Sequence, residues 1–555
     1  MNKLKLALSA LSLSASSAVL AGGLLTNTNQ SIAFLRNPAR DAAIGIDGVY
    51  SNPAGVAFLP NGLHLSFNIQ NAHQTRTITS MFSPFAFGAQ NSGETKKFKG
   101  KADAPVIPSV QAAYNKGKWS FQFNFAVTGG GGKCVFENGL PSFEGTVGML
   151  PLLSQNLDAV AEQLGLGNLG LEKVDSYAMD TYMRGRQYYY GFTLGAARQI
   201  DEHWSVYLGA RLLYGSSNYY GYVSNIQAGI GGKLVNAPQT FSAASTQAAE
   251  AMGKYTELAQ QATEANDLVN AAKYQAAAKL AGTQAVMYGA LGEATQDVTL
   301  NCDQTGWGIA PIIGVDYKTG PLNFAAKYEF RTKMVLKNRA ANSESAKNLQ
   351  QLSRYEDGKK VREDSPALLA IGAQWSVLPQ LRISAGWHRY FDKDSKQYNN
   401  HQKKLGGNTN EYLFGAEYDI SKAIEVSAGM QRTQYDFTDA YMEDMSFNVS
   451  SYSFGFGVGV KLSKKVKLNV AYFQTLYDTY DRESNNFYNT SAIAEHIVGG
   501  VAGKLADANM AAAAQKLVNT MLTTPNAQTG KSMLYGKDSF TRSNRVIGIG
   551  VDITI

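Results

Sequence analysis

The chain has 555 residues, 44% of them hydrophobic and 17% charged, and carries a formal net charge of +7. Mean hydropathy is slightly negative, and past the N-terminal leader no run of about eighteen apolar residues occurs, which excludes helical membrane spans. The basic excess is mild and spread along the chain, with no cationic cluster interleaved with aromatics, so nucleic acid is not an expected partner.

Residues 1–21 carry Lys3 and Lys5, an apolar run to Leu20, and Val19-Leu20-Ala21 as a small-residue cleavage site. That is the pattern of a secretory signal cut after Ala21. No cysteine follows the cut, so a lipid anchor is not expected, and loss of the two lysines leaves a net charge of +5. Residues 22–61 show no clean alternation and include Arg36, Arg40, Asp41 and Asp47. A wide barrel must fill or block its lumen, and a plug is the economical use of this segment.

From residue 62 the pattern changes to period two. Successive side chains of a strand point to opposite faces, so this period builds a sheet with one apolar and one polar surface. Trp119, Phe121, Phe123, Phe125 and Val127 alternate with Ser120, Gln122, Asn124, Ala126 and Thr128. Near the end, Ile547, Ile549, Val551, Ile553 and Ile555 alternate with Gly548, Gly550, Asp552 and Thr554. Such runs predict fourteen strands, near 62–77, 103–115, 119–133, 186–200, 204–224, 305–319, 321–337, 365–378, 381–395, 409–420, 423–438, 450–463, 466–482 and 538–555. Alternate joins are tight, as at Thr319-Gly320 and Pro379-Gln380, and the others are longer. A soluble sandwich also alternates. However, outward sets such as Tyr188, Tyr190 and Phe192 fit the aromatic girdles of a membrane barrel better than a sandwich core. The predicted fold is all-β, a 14-stranded antiparallel transmembrane β-barrel over 62–555, monomeric, in the outer membrane of a Gram-negative cell.

Long inserts lie near 134–185, 228–300 and 483–535. Helical spacing appears at Leu153, Leu157, Val160 and Leu164, through the Ala-rich stretch 242–292, and at Ile493, Ile497, Val501 and Leu505, then Leu517 and Met521. These apolar faces either pack together over the barrel mouth or offer a greasy landing surface. Cys134 and Cys302 are the only cysteines. An even pair in an oxidising compartment is either a disulfide or two unrelated thiols. The topology puts both at the long-loop rim, which favours a disulfide between the second and third long loops.

The plug ends in Asn52-Pro53-Ala54-Gly55-Val56-Ala57-Phe58-Leu59-Pro60, with an earlier copy at Asn37-Pro38-Ala39. This segment resembles the Asn-Pro-Ala hatch segment of the FadL-like long-chain fatty-acid and toluene outer-membrane transporters. So do the strand count, the helical loops and Tyr328-Glu329-Phe330-Arg331. The chain departs from that pattern in ending at Ile555 rather than an aromatic, and in its longer 242–292 insert. The resemblance implies passive uptake of hydrophobic small molecules with exit through a gap at a kink in strand three. Gly129, Gly130, Gly131 and Gly132 stand at that place, although a flexible lead into the next loop would look the same. If they form the gap, Val at Gly130 and Gly131 is expected to close it without loss of stability.

Inward polar positions Arg211, Lys327, Arg331, Arg382 and His388 are candidate contacts for a ligand head group, or else plug contacts. Lipopolysaccharide and outer-membrane lipid are expected partners. No cofactor or metal site is expected, since the six histidines lack ligand spacing. Gly165–Gly170 fits GxGxxG but follows a helix, and Gly530-Lys531-Ser532 lacks the earlier glycine of a phosphate loop. The chain therefore reads as no enzyme. The alternative is a surface adhesin or receptor that displays long loops on a plugged barrel.

Overall fold

The computed structural model of the protein describes residues 24–90, 93–163, 168–347, 350–505 and 508–555. The secretory leader, Gly22, Leu164 and the start of the Gly165–Gly170 run lie outside the described residues. Fourteen long strands form one antiparallel sheet. They are β1 Gly62–Phe82, β2 Thr95–Lys116, β3 Trp119–Phe136, β4 Ser176–Gln199, β5 Trp204–Ile230, β6 Val298–Thr319 and β7 Leu322–Glu329. The rest are β8 Leu368–Leu378, β9 Leu381–Tyr390, β10 Thr409–Asp419, β11 Ile424–Gln434, β12 Ser451–Lys461, β13 Val466–Tyr477 and β14 Gly536–Thr554. Four short segments (Lys233–Asn236, Val335–Ala340, Lys360–Arg362 and Tyr480–Ser484) extend the wall at the long-loop end.

β14 pairs with β1 from His64↔Thr554 to Phe82↔Gly536, so the sheet closes on itself. At the seam Leu63 and Ile555 exchange backbone hydrogen bonds of 3.0 and 2.8 Å. Closure removes the free strand edges that hydrocarbon cannot satisfy. The alternation sorts outward and inward faces the opposite way to a soluble protein. Outside, Phe121, Leu208, Ile309 and Phe456 are more than half exposed, while inside Gln111, Asn124, Glu411 and Gln431 are fully buried. An apolar outer face around a buried polar interior suits lipid outside and a plugged lumen.

The wall is uneven. β5 has 27 residues and β4 has 24, whereas β7 has 8 and β9 has 10. Since 9–11 tilted residues cross a bilayer, β1–β6 and β14 rise well past it on one side of the barrel. Among the described residues five long helices roof that end: α2 Pro141–Gln163, α3 Ala237–Glu264, α4 Leu268–Ala294, α5 Ser491–Leu505 and α6 Ala508–Thr523 (α1, Ile32–Arg36, belongs to the plug). One apolar core runs under them, joining Phe143, Leu150 and Leu157 of α2 to Phe241, Leu291, Ile493, Ile497 and Val501, and to strand tops such as Ile78 and Phe540. The loop helices thus pack on one another over the mouth. On α6 the buried stripe is Ala514, Val518 and Leu522, one step from the expected Leu517 and Met521, because these three recur every fourth residue. The far half of the α3–α4 hairpin stands clear of this core, with Leu268 and Val269 exposed at its tip.

The register separates the two cysteines. Cys134 of β3 lies opposite Gly185 of β4, and Cys302 of β6 opposite Tyr219 of β5, which itself faces Gly185. Three ladder spacings put them ~14 Å apart, beyond disulfide reach. Both are free, buried thiols, which corrects the expected Cys134–Cys302 bond.

Candidate functional site

Residues 24–57 thread the lumen almost wholly buried. The short helix α1, Ile32–Arg36, starts at Ser31, whose Oγ accepts from Phe34 N at 3.1 Å. Opposed inward glycines of the wall make room for the chain. A Cβ at Gly415 would sit 1.9 Å from Asn37 Oδ1, and one at Gly386 would sit 2.2 Å from Asp41 Oδ2. The first Asn-Pro-Ala copy thus rests against the wall, and Asn37 Oδ1 also accepts from Ala39 N at 3.1 Å. In the second copy Asn52 donates to Asp316 Oδ2 at 2.6 Å, Pro53 O accepts from Gln122 at 2.7 Å, and Ala54 O accepts from Ser205 at 2.7 Å. That tripeptide docks on three strands at once.

The candidate head-group residues are mostly plug contacts. Arg211 pairs with Glu329 and stacks over the Tyr50 ring. Lys327 donates to Tyr50 O at 2.6 Å and stands 4.5 Å from the centre of that ring. His388 is clamped between Asp41 and Glu411, each at 2.9 Å. Arg382 binds Asp419 at 2.8 Å and Glu425 at 3.1 Å in a network shared with plug residues Arg36 and Arg40. Arg331, past the end of β7, reaches Asp394 O and Asp364 instead. Breaking a buried pair costs roughly 3–5 kcal/mol, so a ligand carboxylate would have to displace a protein partner at these places.

The wall is not continuous between β2 and β3. Pairing runs from Gly100↔Phe136 to Asp103↔Lys133 and resumes only at Ser109↔Ala126. Between these points Ala104–Pro108 and Val127–Gly132 face each other without a ladder. Both sides have a sequence cause. Pro105 and Pro108 remove donors from β2. On β3 the register against β4 skips Thr128 and Gly131, with Gly130 at φ 71° and Gly132 at φ 99°. These two bulges bow β3 away from β2. The glycines are therefore needed where they stand: a Cβ at Gly130 would lie 2.2 Å from Gln187 O. The expectation that Val at Gly130 is tolerated is corrected by this left-handed backbone.

The plug covers the break from inside. Asn27 donates its backbone N–H to Thr128 O at 2.9 Å and its side chain to Gly130 O at 2.6 Å, and Gln30 donates to Val127 O at 3.1 Å. Beside it, Ile32, Phe34 and Leu35 form an apolar cluster with Ala72, Ala104, Phe473 and Val546, with Ile107 packed on it. Outside, Val106 is 61% exposed in the apolar belt. Sequence reasoning found the glycines but missed Asn27, Gln30 and the two prolines. The signal in Ala104-Pro105-Val106-Ile107-Pro108 was two prolines inside a strand.

Among the described residues several cavities lie above: a polar cleft of about 770 Å³ lined by Lys96, Glu144, Tyr177, Asp180 and Ser224, and two small ones. One of about 40 Å³ sits between Leu24, Leu25, Arg354, His401 and Tyr441. The other, about 30 Å³ and apolar, lies among Val147, Leu150, Ile226, Leu291, Ile493 and Ile497 under the roof helices. Neither holds a fatty acid as it stands.

No protein-family model and no curated protein sequence matches the chain. Among solved structures it is similar to a Pseudomonas aeruginosa FadL homologue, with a TM-score of 0.56 and 10% identity over 96% of this chain and 99% of that one. It is also similar to the toluene transporters TodX of P. putida (TM-score 0.46, 12% identity, 92% and 94% covered) and TbuX of Ralstonia pickettii (0.46, 12%, 97% and 99%). The first likeness establishes a FadL-like fold.

Proposed function

We propose that the protein is an outer-membrane channel for passive uptake of hydrophobic small molecules, fatty acids or aromatic hydrocarbons, which leave sideways between β2 and β3. The long loops face outward, the protein is a monomer, and the plug 22–61 is its gate. The observation that carries this reading is the five-residue break in the β2–β3 ladder, level with the apolar belt and capped by Asn27 and Gln30. An opening at that height delivers cargo from an apolar lumen straight into lipid. It avoids a passage through water that costs roughly 0.8 kcal/mol per exposed CH₂. The apolar crevice under the roof helices suits first capture, and the closed lumen means that residues 24–30 must move during transport.

Deleting Thr128 and Gly131 together removes both bulges while keeping the in–out phase of β3, since two residues are lost. The expected result is a folded, heat-modifiable barrel that no longer takes up a labelled fatty acid or monoaromatic. Unchanged uptake by that folded variant overturns the lateral route. The exposed α3–α4 tip also suits an adhesin. That reading is favoured if the wild type moves no hydrophobic solute into cells and its loops bind a host molecule.

A further inference from the structure

The basic residues that look scattered in the chain meet on the outer face of the tall side of the wall. One rung reads Arg545, His73, Asp103, Lys133, Arg186, Asn218 and Asp303 across β14, β1, β2, β3, β4, β5 and β6. The next rung away from the membrane carries Lys101 and Arg184, and above it Lys99 and then Lys97 follow on β2. Their neighbours in sequence (Phe98, Gly100, Ala102, Cys134 and Gly185) point inward and are buried. Seven cations thus share one surface with the carboxylates of Asp103, Asp303 and, at the height of Lys97, Asp180, which accepts from Asn225 at 3.2 Å. Asp103 is taken by His73, and Asp303 accepts from Asn218 at 2.8 Å. Among the described residues Lys97, Lys99, Lys101, Lys133, Arg186 and Arg545 have no ion-pair partner. Arg184 is held by Asn218 at 2.8 Å and by the Tyr220 ring.

Cross-strand neighbours lie about 5 Å apart and same-strand neighbours about 6.6 Å, and like charges so placed repel. The cluster therefore calls for multivalent anions. Its lower edge is the apolar belt itself, where Ile547, Ile69, Val106 and Trp307 are all at least half exposed. A ligand that fits both zones has acyl chains against the belt and phosphates about one residue pair higher. We infer that this face binds a phosphorylated glycolipid of the outer leaflet, with Lys101, Lys133, Arg184, Arg186 and Arg545 on its phosphates and Lys97 and Lys99 facing anionic groups farther from the membrane. Lys133 follows Gly132 directly, so the bound lipid would line the mouth of the β2–β3 break. The inference rests on the outer-membrane orientation proposed above but not on transport.

The test is native mass spectrometry of the full-length protein in detergent with bis-phosphorylated lipid A. The wild type should retain it and bind its dephosphorylated form at least tenfold more weakly. Lys101→Gln/Arg184→Gln/Arg545→Gln should weaken binding tenfold or more. So should Lys133→Gln/Arg186→Gln, a second variant in case the first fails to fold. Lys116→Gln/Lys422→Gln/Lys464→Gln at the short-turn end should not. Binding by both patch variants within twofold of wild type overturns the inference. So does equal affinity for dephosphorylated lipid, or full competition by heparin, which would mark a soluble-polyanion site. Lipid A bound with no solute uptake sinks only the transport reading; uptake without lipid A binding sinks only this one.

Discussion

At the scale of single residues, the decisive feature is backbone conformation at the β3 break. Gly130 at φ 71° has Gln187 O where a side chain would go. Gly130→Val is therefore expected to destabilise the barrel, by on the order of 1–3 kcal/mol for the strained backbone alone, with the clash added. The check is the temperature of the heat-modifiable gel shift, which should fall; a rise would mean that β3 can straighten without hindrance. The asparagine and glutamine opposite behave differently. Asn27 and Gln30 satisfy carbonyls freed by the bulges, so they matter only because the ladder is broken there. A strand motif is visible in a sequence, but the residue that caps it from 100 positions away is not.

At the scale of elements, the loop between β11 and β12 couples roof to barrel and carries a titrating cluster. Burial pushes the Glu443 carboxyl up to about 7 and that of Asp444 to about 6, and pushes His401 down to about 4. His401 and Glu443 lie 3.7 Å apart, yet between about pH 4 and 7 both are neutral. A carboxyl raised on folding adds stability that is complete below its unfolded value and is lost as pH climbs through the folded one. For Glu443 that loss spans about pH 4.5 to 7. Hydrogen exchange of residues 435–450 should thus be faster at pH 8 than at pH 5.5 after correction for intrinsic rates. Glu443→Gln should restore most of the protection at pH 8 and leave pH 5.5 unchanged, the remaining loss at pH 8 being that of Asp444. Equal wild-type protection at both values would sink this account. Asp444 also accepts from Ser142 N at the start of α2, so loosening should spread to that helix.

At the scale of the whole molecule, the fold holds its parts in register without a covalent cross-link. Cys134 and Cys302 stand at the same height but with two strands between them. Unreduced protein should therefore show two alkylatable thiols after denaturation and almost none while folded, because both are buried. Absence of label in the denatured, unreduced protein would mean that a disulfide forms and that the register is wrong. The same rigidity is what makes a local break useful: where the β2–β3 ladder is interrupted, the wall can yield while the paired strands around it hold.

Period-two alternation alone determined the all-β class, the strand count and which face meets lipid, because side-chain direction in a strand follows from residue parity. Turn chemistry and loop length similarly marked which end carries the helices. The glycine run pointed to β3, and the Asn-Pro-Ala repeat to a plug. What only the tertiary structure decided were relations between strands far apart in sequence. Parity says that Lys99, Lys133 and Arg184 face outward but not that they are neighbours. It says that Arg211 and His388 face inward but not that Tyr50 and Asp41 occupy them. It places both cysteines in loops at one rim, but not in ladder positions of β3 and β6, where the two strands between them hold them apart. Those facts depend on register and closure, which arise only when all fourteen strands pair at once.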